Sequence, residues 1–216
     1  MEQLYWWAYV RPAAVRFFER PWLVNLILLG NYRRLGLAAL EALGPRIEGK
    51  LLQVACVYGE LTPNLCAHLA PDASLDVVDI LPVQLENLRR KIGGDSRVSL
   101  IQSDSSDLPM AGACYDQVLL FFLLHEQPPE TRRRTLEEAF RVLKPGGKLV
   151  LVDYSKPVAW HPVRFGLLPI LGRLEPFAPA LWRDGIVGHL PDGIRPRTIE
   201  QTPIFQGLYE RVVITK

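Results

Sequence analysis

KLLQVACVYGE, residues 50–60, is an apolar run closing on a single glycine, and its reading decides the fold. Leu51 to Val57 have the character of a buried strand, Gly59 and an acidic residue follow, and LTPNLCAHLA continues as a helix, so the stretch predicts a first strand–turn–helix unit. About twenty residues past that turn, SLDVVDI is a second apolar run closing on Asp79, the position at which a nucleotide-binding sheet sets a carboxylate against ribose hydroxyls. A turn that cradles pyrophosphate is rich in glycine, because only a backbone without side chains comes close enough to the phosphates. Here Ala55, Cys56, Val57 and Tyr58 fill the turn, which argues against a pyrophosphate and for a nucleoside ligand without phosphates. S-adenosylmethionine fits that description.

Outward from this unit, strand and helix patterns alternate. LPVQLENLRRKI has helical spacing, RVSLIQSD and YDQVLLFFLL read as strands, and TRRRTLEEAFRVLKPGGKLVLVDYS reads as a helix, a Pro-Gly-Gly stop and a further strand. TIEQTPIF and LYERVVITK flank Gln206-Gly207 as a closing hairpin with Pro203 near an edge. The expected fold is therefore α/β: a doubly wound, Rossmann-like, mostly parallel seven-stranded sheet with a C-terminal antiparallel hairpin and helical lid segments. One domain is expected over residues 1–216, divided into an aromatic helical cap (1–45), a ligand-binding core (46–154), a lid insertion (155–195) and the hairpin (196–216).

Composition agrees with one globular core: 216 residues, 49% hydrophobic, net charge +2. The paired arginines (Arg33-Arg34, Arg89-Arg90, Arg132 to Arg134) read as solvated helix faces, not as a nucleic-acid footprint. Cys56, Cys66 and Cys114 are odd in number and set in apolar surroundings, which favours reduced thiols and a cytoplasmic location. No signal-peptide pattern and no run long enough to span a bilayer are present in the sequence.

Over residues 46–154 and the hairpin, the chain resembles the class I S-adenosylmethionine-dependent methyltransferases. The turn around Gly59, Asp79, SDSSDLP, YDQVLLFFLLHE and RVLKPGGKLVLVDY carry the resemblance in their order. It implies that Asp79 holds the ribose hydroxyls, Asp104 and Ser105 the adenine edge, and Ala55, Cys56, Val57, Tyr58 and Gly59 the methionyl part. Phe121 and Phe122 then close the pocket, and Ile80 and Gln84 belong to the same wall. A second resemblance runs almost the whole length, through YWWAYVRPAAVRFFERPWLVNLILLGNYRRL, VACVYGELT, LDVVDILPVQLENLRRK, LLFFLLHEQP, VDYSKPVAWHPVRF and FQGLYE. These segments are similar to the rhodoquinone-biosynthesis enzymes, which implies exchange of a ubiquinone methoxy group for an amino group, with S-adenosylmethionine as nitrogen donor and manganese as a further cofactor. That family has Asp after the turn glycine, where this chain has Glu60. The alternative is a C- or O-methyltransferase of a quinone, phenol or lipid-like substrate, and a binding protein without turnover is disfavoured by the retained Asp79 and Asp104.

The first 22 residues hold Tyr5, Trp6, Trp7, Tyr9, Phe17, Phe18 and Trp22, and FGLLPILGRLEPFAPALW (165–182) has the same apolar character. Either these segments pack over the sheet, or they cover a polyprenyl substrate and touch a membrane peripherally, at the inner membrane. Candidate substrate residues are Tyr5, Trp6, Tyr9, Tyr154 and His161. Tyr58, His125 and Glu126 are the candidate catalytic groups, since an imidazole past the fourth strand can move a proton and a carboxylate can orient an amine. Asp153, Tyr154 and His161 include carboxylate and imidazole groups of the kind manganese accepts, but no HxxxH or DxD spacing supports an assignment.

Overall fold

The computed structural model describes residues 19–161, 163, 172 and 176–216. Its strands are β1 (Lys50–Val54), β2 (Ser74–Asp79), β3 (Val98–Gln102), β4 (Tyr115–Phe121), β5 (Leu143–Tyr154), β6 (Thr198–Ile204) and β7 (Tyr209–Thr215). They form one seven-stranded sheet in the order β3-β2-β1-β4-β5-β7-β6. The first five are parallel, and β7 runs antiparallel to both β5 and β6. The expected doubly wound sheet with a closing hairpin is therefore the one observed.

β1 lies at the centre, with Leu51, Leu52 and Val54 at most 1% exposed, because a parallel strand covered on both faces needs a continuous apolar run. Gln53 interrupts that run without penalty: its Nε2 donates to Ala55 O at 3.0 Å and its Oε1 accepts the Thr62 hydroxyl at 2.9 Å. The chain steps outward from β1 to β3 and then returns to place β4 beside β1. This reversal opens a crevice at the carboxyl ends of β1 and β4, where sheets of this kind bind ligands.

The helices are α1 (Pro21–Ile27), α2 (Tyr32–Leu43), α3 (Leu61–His68), α4 (Pro82–Ile92), α5 (Pro129–Val142) and α6 (Ala178–Asp184). Proline opens α1, α4 and α5, where its missing N–H costs nothing. α4 ends with Arg89, Arg90 and Lys91 in its last turn and Gly93 in the left-handed region at φ 63°, so both the dipole and the backbone favour a stop there. α2 buries Leu35, Ala39, Leu40 and Leu43 at helical spacing, which makes it a layer of the core as well as part of the cap.

Two expectations change. The Lys144-Pro145-Gly146-Gly147 segment does not separate helix from strand: pairing begins at Leu143 opposite Tyr115 and shifts register before Gln117. A Cβ at Gly147 would stand 2.8 Å from Asp116 O, so glycine is what allows the irregularity. Arg132 is not on a solvated face. It is 1% exposed, whereas Arg133 and Arg134 remain outside on Glu130 and Glu137. Cys56, Cys66 and Cys114 are free thiols, and burial pushes the Cys66 thiol up to about 11.

Candidate functional site

The turn after β1 adopts the shape of a glycine turn with other residues. Ala55 is held at φ 73° and Gly59 at φ 83°. A Cβ on Gly59 would lie 2.4 Å from the Tyr32 hydroxyl, which is why this one glycine is kept. In place of further glycines, side chains from three elements clamp the turn. Tyr32 of α2 accepts the Glu60 N–H at 2.6 Å and donates to Tyr58 O at 3.3 Å. Glu19 accepts the Gly59 N–H at 2.8 Å, the Asn87 amide at 2.6 Å and the Lys91 ammonium at 2.5 Å, and Lys91 also donates to Gly59 O. Glu19, Tyr32, Asn87 and Lys91 have no signal in sequence, since each acts from more than 25 residues away.

Asp79 joins the ends of β1 and β2. Its Oδ2 accepts the Cys56 N–H at 2.7 Å and its Oδ1 the Leu81 N–H at 2.8 Å. At 8% exposure, burial raises its carboxyl above the usual range against those two bonds. The Cys56 thiol also donates to it, so of the about four lone pairs a carboxylate offers one is left over. Ile80 is 56% exposed beside it and offers an apolar surface. Gln84 donates to the Tyr58 hydroxyl at 3.0 Å, and burial pushes the Tyr58 phenol well above its ordinary value, so it stays protonated and acts as a hydrogen-bonding group, not as a base.

Asp104 is exposed and accepts the Ser106 N–H and hydroxyl, both at 2.8 Å, shaping the loop after β3. Ser105 is turned to structural use: its Oγ lies 2.9 Å from Thr135 Oγ1 and accepts the Gln127 amide at 3.0 Å. Its side chain is thereby tied to α5 and to Gln127. Gln127 Oε1 is buried without a hydrogen-bond partner among the described residues.

At the end of β4, Phe121 is buried and Phe122 is held at φ 53°, a conformation a bulky residue adopts only under constraint. The Phe122 ring meets His125 edge-on at 5.7 Å and Tyr154 at 5.6 Å. His125, 5% exposed, places Nδ1 2.8 Å from Asp153 Oδ1 and Nε2 3.8 Å from Glu126 Oε1. The Tyr154 ring stands edge-on to His125 at 5.0 Å, and Trp182 of α6 stands edge-on to Tyr154 at 5.6 Å. Trp182 Nε1 is buried without a partner among the described residues. Tyr58 also feels the charges of Glu126 and Asp79, so the three candidate catalytic residues and the Asp79 carboxylate share one neighbourhood.

His161 is placed otherwise. It is fully buried, its Nδ1 accepts the Val163 N–H at 3.2 Å, its Nε2 donates to Phe205 O at 3.2 Å, and its ring packs edge-on against Phe205. Both nitrogens serve the backbone, so His161 fastens the segment after β5 to the turn between β6 and β7 and has no nitrogen left for a substrate. Tyr5, Trp6 and Tyr9 lie outside the described residues. Among the described residues no three His, Cys, Asp or Glu side chains converge as metal donors, so this donor set does not fit manganese.

Residues 51–147 match a family model described as a methyltransferase domain. Among curated proteins, the demethylmenaquinone methyltransferase of Clavibacter sepedonicus is 32% identical over 62% of this chain and 52% of its own length. The ubiquinone/menaquinone biosynthesis C-methyltransferase UbiE of Pseudomonas paraeruginosa is 30% identical over 70% of this chain and 62% of its own. The chain thus spans between about half and three-fifths of the length of the curated relatives it matches. Among solved structures, the N-methyltransferase NodS of Bradyrhizobium japonicum aligns with a TM-score of 0.62 at 15% identity, covering 85% of this chain and 95% of that one. Residues 51–147 thus match the methyltransferase-domain model, and the likeness to solved structures shows a shared Rossmann-like fold.

Proposed function

We propose that this protein uses S-adenosylmethionine to modify the ring of a quinone or its reduced quinol. One observation carries the reading: the Asp79 carboxylate, held by the Cys56 and Leu81 N–H groups, stands beside the clamped turn at the switch point of a methyltransferase-type sheet. Asp79 would take the ribose hydroxyls, Ile80 and the loop around Asp104 and Ser105 the adenine, and residues 55–59 with Gln84 the methionyl end. Phe121 and Phe122 would close that pocket. Tyr154 would face the acceptor, with Tyr5, Trp6 and Tyr9 as further candidates for its wall, and His125 and Glu126 would handle protons. The quinone as acceptor is supported by the two curated relatives, one a demethylmenaquinone methyltransferase and the other a C-methyltransferase of ubiquinone and menaquinone biosynthesis.

Two products are compatible with this site. Methyl transfer is the reaction named for both relatives, to carbon in the UbiE protein. Exchange of a ring methoxy group for an amino group, implied by the whole-length resemblance, is favoured by the altered turn, where a protonated Tyr58 replaces open backbone at the cofactor's amino-acid end. Incubating purified protein with S-adenosylmethionine and either ubiquinol or demethylmenaquinol, with and without manganese, separates them by mass spectrometry. A gained methyl with S-adenosylhomocysteine identifies methylation, and a lost methoxy with incorporated nitrogen identifies amination. Neither product with any acceptor overturns the proposal.

A peripheral membrane contact belongs to the same reading. α1 leaves Trp22, Leu26 and Ile27 between 42% and 64% exposed, and no described helix is long and apolar enough to cross a bilayer.

A further inference from the structure

We propose that Asp153 is a positioning residue for His125, fixing the ring so that Nε2 is the base that takes the acceptor's proton. The inference rests on the transfer reaction proposed above. Asp153 is the penultimate residue of β5, at 1% exposure. Its Oδ2 accepts the N–H groups of Leu124 at 2.8 Å and His125 at 3.3 Å, and its Oδ1 accepts the Tyr154 N–H at 2.7 Å. A carboxylate so surrounded by donors has only acceptor capacity to offer the ring at 2.8 Å. Nδ1 of the neutral imidazole therefore carries the proton, and Nε2 keeps its lone pair on the side of Glu126.

The surroundings hold the ring in that orientation. Phe122 and Tyr154 meet it edge-on at 77° and 84°. Arg132 fastens the turn from behind, its Nε donating to Leu124 O at 2.8 Å and its Nη2 to Gln127 O at 3.2 Å and Phe177 O at 3.0 Å. Among the described residues, the charged and titratable groups around the imidazole include Asp153 and Tyr154 of β5, Glu126 of its own turn and, one layer out, Arg132 of α5 and Tyr209 of β7. Two carboxylates flank the ring, so the imidazolium formed when it accepts a proton lies between opposite charges.

In the methyl-transfer case the step balances as follows. The acceptor hydroxyl gives its proton to Nε2, and the resulting phenolate's ring carbon bonds to the methyl carbon. The methyl–sulfur bond breaks with its electron pair left on sulfur, as a neutral thioether. The ring-carbon proton then leaves to solvent while His125 returns its proton to the oxygen, so one proton is released per turnover.

Nitrogen NMR of labelled protein, with His125→Gln to assign the signals, reads the tautomer directly. The wild type is expected to show protonated Nδ1 and bare Nε2 near neutral pH. Asp153→Asn turns an amide N–H toward Nδ1 and should move the proton to Nε2. In the same variant kcat should fall on the order of a hundredfold or more, with cofactor affinity and acceptor KM within about twofold of wild type. The acidic limb of its kcat profile should shift to lower pH, because the imidazolium has lost an anion. A bare Nδ1 or a doubly protonated ring in the wild type at neutral pH overturns the proposal. So does an Asp153→Asn loss that weakens cofactor binding equally and leaves the pH limb in place. Should that variant fail to fold, the wild-type tautomer still decides. It is read without turnover, so a wild type that converts no quinol would refute the functional reading and leave this result standing.

Discussion

Ala55 sits at φ 73° because β1 must turn sharply over Asp79, whose carboxylate takes the next residue's N–H. A left-handed conformation costs a non-glycine residue roughly 1–2 kcal/mol, part of which a glycine returns as extra freedom in the unfolded chain. Ala55→Gly should therefore raise stability by up to about 1 kcal/mol in urea titration. Unchanged or lowered stability would mean that the alanine is not strained. Asp79 makes an opposite prediction about charge. Burial raises its carboxyl, so the stability it contributes is present at acid pH and lost as pH rises through that raised value. Asp79→Asn keeps the shape without the charge, so wild-type minus variant melting temperature should be largest near pH 4 and shrink toward neutrality, where the carboxylate is ordinarily ionised above about 3.9. In the same position Asp79→Ala should weaken S-adenosylmethionine binding about tenfold or more by calorimetry, since charge-assisted hydrogen bonds are worth roughly 1.5–3 kcal/mol.

Between elements, the contact that matters most is one the sequence hides. Arg132 stands in a run of three arginines on an amphipathic helix, and the run alone gives no reason to single it out. Only when α5 is packed does it turn inward, where its guanidinium reaches three carbonyls of the β4–α5 loop and the start of α6, with Nη1 3.4 Å from His189 Nε2. Burial lowers its pKa, and the charge of Asp153 opposes that shift. Removing it leaves buried carbonyls unpaired, so Arg132→Ala should cost about 3 kcal/mol or more and speed hydrogen exchange first in residues 177–189. Uniform loosening of the whole chain would deny it this tie. The same reasoning separates what was legible from what was not. The apolar runs of β1, β2, β4 and β5 and the acid ending β2 are local patterns, from which the sheet and the place of Asp79 at the end of β2 can be read. The Glu19–Lys91–Gly59 clamp, the Asp153–His125 pair and the occupied nitrogens of His161 join residues far apart in the chain, and no spacing rule announces them.

At the scale of the whole molecule, the proposed quinone acceptor would bring an apolar tail to a chain with a closed core. α2 and the hairpin use their apolar faces on the sheet, yet α1 turns Trp22, Leu26 and Ile27 outward, and Leu37 is exposed on α2 beside the exposed Arg33 and Arg34. A side chain of that size contributes roughly 1.5–3 kcal/mol when taken out of water, so a few of them with neighbouring cations suffice for reversible attachment to an anionic bilayer. The protein should co-sediment with vesicles containing anionic lipid, less so at high salt. Trp22→Ser combined with Leu26→Ser should release it without lowering the melting temperature, because neither side chain is buried. That variant should still modify short-tailed quinols at the wild-type rate and lose rate only on long-tailed ones presented in vesicles. If it sediments like wild type, or if wild type ignores vesicles altogether, the exposed face of α1 has no part in reaching the substrate, and the acceptor must be delivered by another route.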